Sequence, residues 1–179
     1  GSQLKSSHFP VGKANAILLE AEIALQSDKP DHAIALASAS LATNDIYQGH
    51  ETLARAYIAA GKFSQGEKEL LWMIEKRGKT FVESSDSICG CGNIFNIVDW
   101  ASAHLRLARL MRTTGNHAAS ASYYKKFIDH WKAADPRNPD LAAAVKELKM
   151  LPKEAEQTTQ PIKKNNPPVT EGSTPTPSR

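Results

Sequence analysis

Cysteine and histidine are the side chains of this sequence on which chemistry can turn most directly. The two cysteines fall in the run Cys89-Gly90-Cys91-Gly92. Two thiols one residue apart offer two soft ligands, whereas a structural zinc is typically held by about four, so His104 and Asp86 would have to complete the set. A disulfide closed across Cys-Gly-Cys is sterically tight, and oxidation would more naturally join either thiol to another molecule. Three readings follow: a glycine-rich turn with ordinary thiols, a redox or intermolecular disulfide, and a metal site. The first is adopted, with no metal and no cofactor expected. The other two together make the alternative of a redox- or metal-responsive sensor acting through Cys89 and Cys91.

Histidines stand at 8, 32, 50, 104, 117 and 130, scattered along the chain. No HExxH pattern, glycine-rich phosphate loop or nucleophile elbow accompanies them, so no enzyme is expected. His32 and His117 fall at turns, where polar residues meet solvent.

The elements that would position these groups are helices. Residues 50–78, HETLARAYIAAGKFSQGEKELLWMIEKRG, carry Leu53, Ala54, Tyr57, Gly61, Phe63 and Gly66 in the order large, small, aromatic, turn glycine, aromatic, small. A second copy, in the segment SAHLRLARLMRTTGNHAASASYYKKFIDHWKAADP, places Leu107, Ala108, Met111, Gly115, Ser120, Tyr124 and Phe127 at matching positions. A third, ANAILLEAEIALQSDKPDHAIALASASLATND, keeps Ala21, Ala24, Asp28, Ala33 and Ala37 in register but has alanine at the aromatic positions, as suits an entry unit. The turn positions 28, 61 and 115 stand 33 and 54 residues apart, so a segment of about 20 residues is inserted after the second unit. Asp31 and Ser64 are the expected N-caps of the second helices of the first two units, because a side-chain oxygen there accepts from an orphan N–H. Pro136 and Pro139 interrupt the chain, and Leu141, Val145, Leu148 and Leu151 then mark one more amphipathic helix.

This pattern resembles the tetratricopeptide repeat family over roughly residues 14 to 135. The resemblance implies an all-α, right-handed superhelix of antiparallel helix pairs, with units at about 14–45, 46–79 and 98–135, an insertion at 79–97 and a C-terminal capping helix at 139–150. The closing segment YYKKFIDHWKAADPRNPDL is similar to the last repeat of arrays in bacterial multidomain signalling and regulatory proteins. In this family the first helix of each pair lines a concave groove. The register carries that role onto Asn15, Leu18, Glu22 and Leu25, then Gln48, Glu51, Arg55 and Ile58, then Ser102, Leu105, Arg109 and Arg112. Arginine offers a planar fork suited to a carboxylate. Glu22 stands where the carboxylate clamp of chaperone-binding members has an asparagine, so a chaperone-tail receptor is not expected. Trp72, Trp100 and Trp131 are expected to seal one unit against the next.

Composition sets the outer bounds. The 179 residues carry a formal charge of +3, about +2 in the body and about +1 beyond Leu151, too little and too dispersed for a nucleic-acid face. No apolar run approaches the length of a membrane span. Gly1-Ser2 reads as a tag remnant, so residues 1–13 are taken as tag or leader. From Pro152 to the end the chain holds six of the ten prolines and no aromatic residue, which predicts a disordered tail over 151–179. Compartment is not fixed: the cytoplasm is favoured, with the periplasm open if a parent protein carries a signal or anchor. The function expected is binding of a peptide segment or partner subunit in the groove, with self-association as a scaffold a further alternative.

Overall fold

The computed structural model describes residues 10–78, 92–133 and 137–152, and the architecture is all-α. Among these residues seven helices follow in order: α1 (Pro10–Gln26), α2 (Pro30–Thr43), α3 (Tyr47–Ala59), α4 (Phe63–Glu75), α5 (Gly92–Thr113), α6 (His117–Trp131) and α7 (Pro139–Lys149). No strand occurs among the described residues, and no described helix is long and apolar enough to cross a membrane.

The three turn positions share one geometry. Asp28, Gly61 and Gly115 all adopt positive φ, at 55°, 71° and 81°. Their N–H groups donate to Leu25, Ile58 and Arg112 at 3.2, 3.0 and 3.2 Å, and the following N–H groups of Lys29, Lys62 and Asn116 reach back to Ala24, Tyr57 and Met111 at 3.0, 2.8 and 2.8 Å. This is the paired bonding of a Schellman motif, in which a left-handed residue satisfies the last carbonyls of a helix. The residue after each turn also caps the next helix, since Lys29, Lys62 and Asn116 are the N-caps of α2, α4 and α6. Three residues connect the helices at each turn, and the last of them is already the N-cap. The expected caps Asp31 and Ser64 therefore lie inside the first turns: Asp31 instead bonds Lys62 Nζ at 2.7 Å, and its charge suits the positive end of α2. Only Asn116 of the three also caps through its side chain, accepting from the Ala119 N–H at 3.1 Å.

Seven residues before each turn and five after it stand small residues: Ala21 and Ala33, Ala54 and Gly66, Ala108 and Ser120. All six are buried. A Cβ on Gly66 would come within 2.8 Å of Ile58 Cγ1 and 3.2 Å of the Ala54 carbonyl oxygen, so the glycine sets how closely α3 and α4 cross. Ser120 Oγ turns the same proximity into a bond to the Ala108 carbonyl at 2.7 Å. Each described helix packs on the next, and α1 also meets α3 as α3 meets α5, so α1, α3 and α5 lie side by side.

Tyr47, Ala54, Leu70, Met73, Ala103 and Leu107 form the central core across α3, α4 and α5. The Tyr47 hydroxyl donates to the Met73 carbonyl at 2.7 Å. A second core of Leu105, Ala108, Tyr124 and Phe127 is closed by Ala144, with Leu148 and Leu151 beside it, so α7 covers the open edge of the α5–α6 pair. α5 begins at Gly92, six residues before the expected start at 98. Asp86, Cys89 and Cys91 lie outside the described residues, as does most of the segment expected as an insertion.

Candidate groove on α1, α3 and α5

Charged side chains from α1, α3 and α5 converge along the face these helices share. Arg55 Nη1 lies 3.1 Å from each carboxylate oxygen of Glu22 on α1 and 3.3 Å from Glu51 Oε2, one turn earlier on its own helix. The other oxygen of Glu51 takes Arg106 Nη2 of α5 at 2.5 Å. Thr52 Oγ1 donates to Glu22 at 2.6 Å, completing a chain of bonds that ties the three helices together. Burial works against the Arg55 charge, but the Glu51 and Glu22 carboxylates outweigh it and hold the guanidinium above its ordinary pKa.

Asp99, at the head of the same α5 face, is the third carboxylate near two guanidinium groups. Burial and the charge of Glu51 push its pKa up to about 6, against the opposing pull of Arg106 and Arg55. An apolar-walled opening lies further along the same face, lined by Arg55 and Arg106 but not by Asp99.

That opening is a cleft of about 310 Å³ between α3 and α5. Ile58, Ala59, Phe63 and Leu110 give it apolar walls, and Arg55, Arg106 and Arg109 edge it. Arg106 Nε is shielded from solvent and has no hydrogen-bond acceptor.

The expected groove residues divide into three groups. Glu51, Arg55 and Ile58 do stand at this face, with Gln48 a turn earlier on α3, half-buried, as is Ser102 on α5. Arg109 and Arg112 are held by Glu147 of α7: Arg109 binds it in a two-pronged fork, Nε at 3.0 Å and Nη2 at 2.9 Å, and Arg112 Nη1 stands at 3.5 Å. Leu105 and Leu18 are in the core, Leu105 only 3% exposed against Tyr124 and Phe127, while Asn15 is exposed on α1. The register missed Asp99, Arg106 and Glu147. The first two were within reach, since 99, 102, 106 and 109 follow helical spacing and are all polar, whereas the chosen 105 is leucine.

A separate feature joins α3 and α4. His50 Nε2 lies 2.8 Å from Asp45 Oδ1 and its Nδ1 lies 2.6 Å from Glu69 Oε2, with the ring stacked on Trp72 at 3.5 Å. Trp72 thus packs between helices, as do Trp100 in the central core and Trp131 beside Phe127. Among the described residues no three His, Cys, Asp or Glu side chains are grouped so as to hold a metal ion. Comparison with protein-family models, curated proteins and solved structures finds no match to this chain.

Proposed function

We propose that the chain is a non-catalytic binding module of the tetratricopeptide type, which takes a peptide segment of a partner protein into the cleft between α3 and α5. The observation that carries this reading is Arg106. Its Nη2 is engaged by Glu51, but its buried Nε donates to nothing while the side chain edges an apolar cleft. A partner suited to the site brings an apolar side chain for Ile58, Ala59, Phe63 and Leu110 and a carboxylate for the guanidinium edge, because a guanidinium offers donors only. Repetition of one turn geometry at Asp28, Gly61 and Gly115, and the side-by-side contact of α1, α3 and α5, support a superhelical array.

Selection from a displayed library of random dodecapeptides tests this, with Ala59→Trp as the variant that fills the cleft from an exposed position. Selected peptides are expected to pair an apolar residue with Asp, Glu or a free C-terminus, and to lose at least tenfold in affinity on Ala59→Trp and on Arg106→Ala. Peptides that bind Ala59→Trp as well as wild type would place the binding surface elsewhere. A Cys89→Ser, Cys91→Ser protein run in parallel tests the sensor alternative, which predicts loss of binding with the thiols and none with the cleft.

A second reading, self-association, draws on Leu19 and Ile23. They are 52% and 57% exposed on the outer side of α1, an unusual exposure for side chains of that size. Light scattering across concentrations, for wild type and for Leu19→Glu, Ile23→Glu, separates a monomer from an assembly that uses this face.

A further inference from the structure

The groove between α3 and α5 carries its charges in a fixed order along its length. Asp99 is half-buried and makes no hydrogen bond or ion pair among the described residues. The nearby charge of Glu51 works against its ionisation, so a cation brought beside it would offset that cost. Two to three turns further along α5, Arg106 and Arg109 edge the cleft together with Arg55 of α3. Each of these guanidinium groups is engaged: Arg55 through Nη1, Arg106 through Nη2, and Arg109 through Nε and Nη2. Each also keeps one terminal nitrogen, Nη2, Nη1 and Nη1 in turn, that bonds to no described residue and is not shielded from solvent. The three side chains are 28%, 35% and 39% exposed. A segment that fits this face therefore presents a cation, then an apolar side chain, then an acid.

The chain contains such a segment. Residues 153–179 lie outside the described residues, and in their sequence Ile162 and Val169 are the aliphatic side chains larger than alanine. Ile162 is followed by Lys163 and Lys164, which the guanidinium edge would repel. Val169 instead has Glu171 two residues after it and Lys164 five residues before it. Pro167 and Pro168 favour an extended backbone, in which about 3.1 Å per residue sets Lys164 and Val169 about 16 Å apart. Along α5, at about 1.5 Å per residue, Asp99 and Leu110 of the cleft wall are also about 16 Å apart. With Lys164 at Asp99 and Val169 between Ile58 and Leu110, Glu171 arrives beside Arg109.

The segment also starts close to the groove. α7 ends at Lys149, two residues past the Glu147 carboxylate that holds Arg109. Leu151 still packs on the core beneath α7. The stretch from there to Lys164 extends to about 40 Å at most, well beyond the roughly 15 Å that separates Arg109 from Asp99 along α5. Resting on the reading of this groove as a peptide site, we propose that segment 163–171 of the chain itself occupies it in cis and is displaced by the partner. Tethering supplies an effective concentration on the order of millimolar, so a segment with little affinity as a free peptide still fills the cleft.

The test places a nitroxide at Ser173→Cys in the full chain carrying Cys89→Ser and Cys91→Ser, and follows carbon-13 methyl signals. Ile58, Ala59 and Leu110 are expected to broaden, while Leu41 and Met73, at the far ends of α2 and α4, stay sharp. The broadening should be unchanged on dilution and lost when Val169→Asp and Glu171→Lys are added. Those two substitutions should also tighten binding of the library-selected peptides by about tenfold or more, because the competing segment is gone. Sharp cleft signals, broadening that survives the two substitutions, or peptide affinity unmoved by them overturns the proposal. Broadening that fades on dilution assigns the segment to the groove of a second copy and overturns the cis assignment. If the proposal fails while selected peptides still depend on Ala59 and Arg106, the groove reading stands without it.

Discussion

The guanidinium of Arg109 and the carboxylate of Glu147 meet as a fork across 38 residues of sequence, joining α5 to the last helix. Glu147 also accepts from the Tyr124 hydroxyl at 2.5 Å, so one carboxylate fastens α7 to both helices of the pair it covers. The Arg109 bonds hold the Glu147 pKa down, with lesser help from Tyr124 and Arg112 and against the effect of burial. Burial and the same carboxylate push the Tyr124 phenol well above its ordinary value.

Glu147→Gln keeps the shape and removes the charge. Arg109 and Arg112 are 39% and 40% exposed and can turn to water, so the loss falls mainly on the buried Tyr124 hydroxyl and the fork itself. A destabilisation of about 1–3 kcal/mol is expected in urea unfolding. A folded-state pKa below the unfolded value gives stability that is present above the unfolded pKa and lost as pH falls through the folded one. The gap between wild type and Glu147→Gln should therefore close on going from pH 5 toward pH 3; a gap independent of pH would show that charge is not the cause.

Asp99 and His104 lie on one helix and oppose each other in acid. Asp99 titrates near 6 in the folded chain against an ordinary 3.8, so between those values the folded state holds the extra proton and stability falls as pH rises. His104 titrates near 4 against an ordinary 6.5, so across that range the unfolded state holds the extra proton and stability rises with pH. The two slopes cancel over much of the shared window. Unfolding free energies measured from pH 4 to 7 should rise more steeply for Asp99→Asn than for wild type, and less steeply for His104→Gln. Parallel curves for all three proteins would refute the assignment.

The turn glycines separate conformational strain from packing. Gly61 and Gly115 have positive φ and nothing within 4 Å of where a Cβ would sit, so alanine costs only the left-handed backbone, on the order of 1 kcal/mol. Gly66 is helical, and its added Cβ would meet Ile58 and the Ala54 carbonyl. Gly66→Ala is thus expected to cost more, about 1–3 kcal/mol. Chemical denaturation of the three alanine variants checks the order, and an equal loss at all three sites would contradict it.

These turns were the most legible part of the fold, because a left-handed residue narrows the choice to glycine or a short polar side chain and so leaves a mark at positions 28, 61 and 115. The Leu141-to-Leu151 pattern likewise located α7 to within a residue, although Ala144, absent from that pattern, is its fully buried contact. The caps were less legible: Asp31 and Ser64 have the right chemistry, but the tight Schellman connection brings the helix start forward to Lys29 and Lys62. Site residues were least legible where they depend on distant partners. Nothing near Arg109 in sequence announces Glu147, and nothing at Asp99 alone announces the Glu51 charge that raises it. Leu105 against Arg106 is different, since hydropathy at those two positions already distinguished core from groove.

Arg106 stands between two carboxylates with opposite needs. It satisfies Glu51 directly and lowers Asp99 through space, while Glu51 itself raises Asp99. Removing the cation should therefore raise the Asp99 pKa beyond about 6, and neutralising Glu51 should lower it. Carbon-detected titration of the Asp99 carboxyl in Arg106→Gln and Glu51→Gln reads both shifts. A displacement in opposite directions identifies α3 and α5 as one electrostatic unit at the groove. If Asp99 titrates alike in both variants, burial alone sets its pKa, and the charged face is a set of independent pairs whose occupation by a partner's carboxylate would leave Asp99 unmoved.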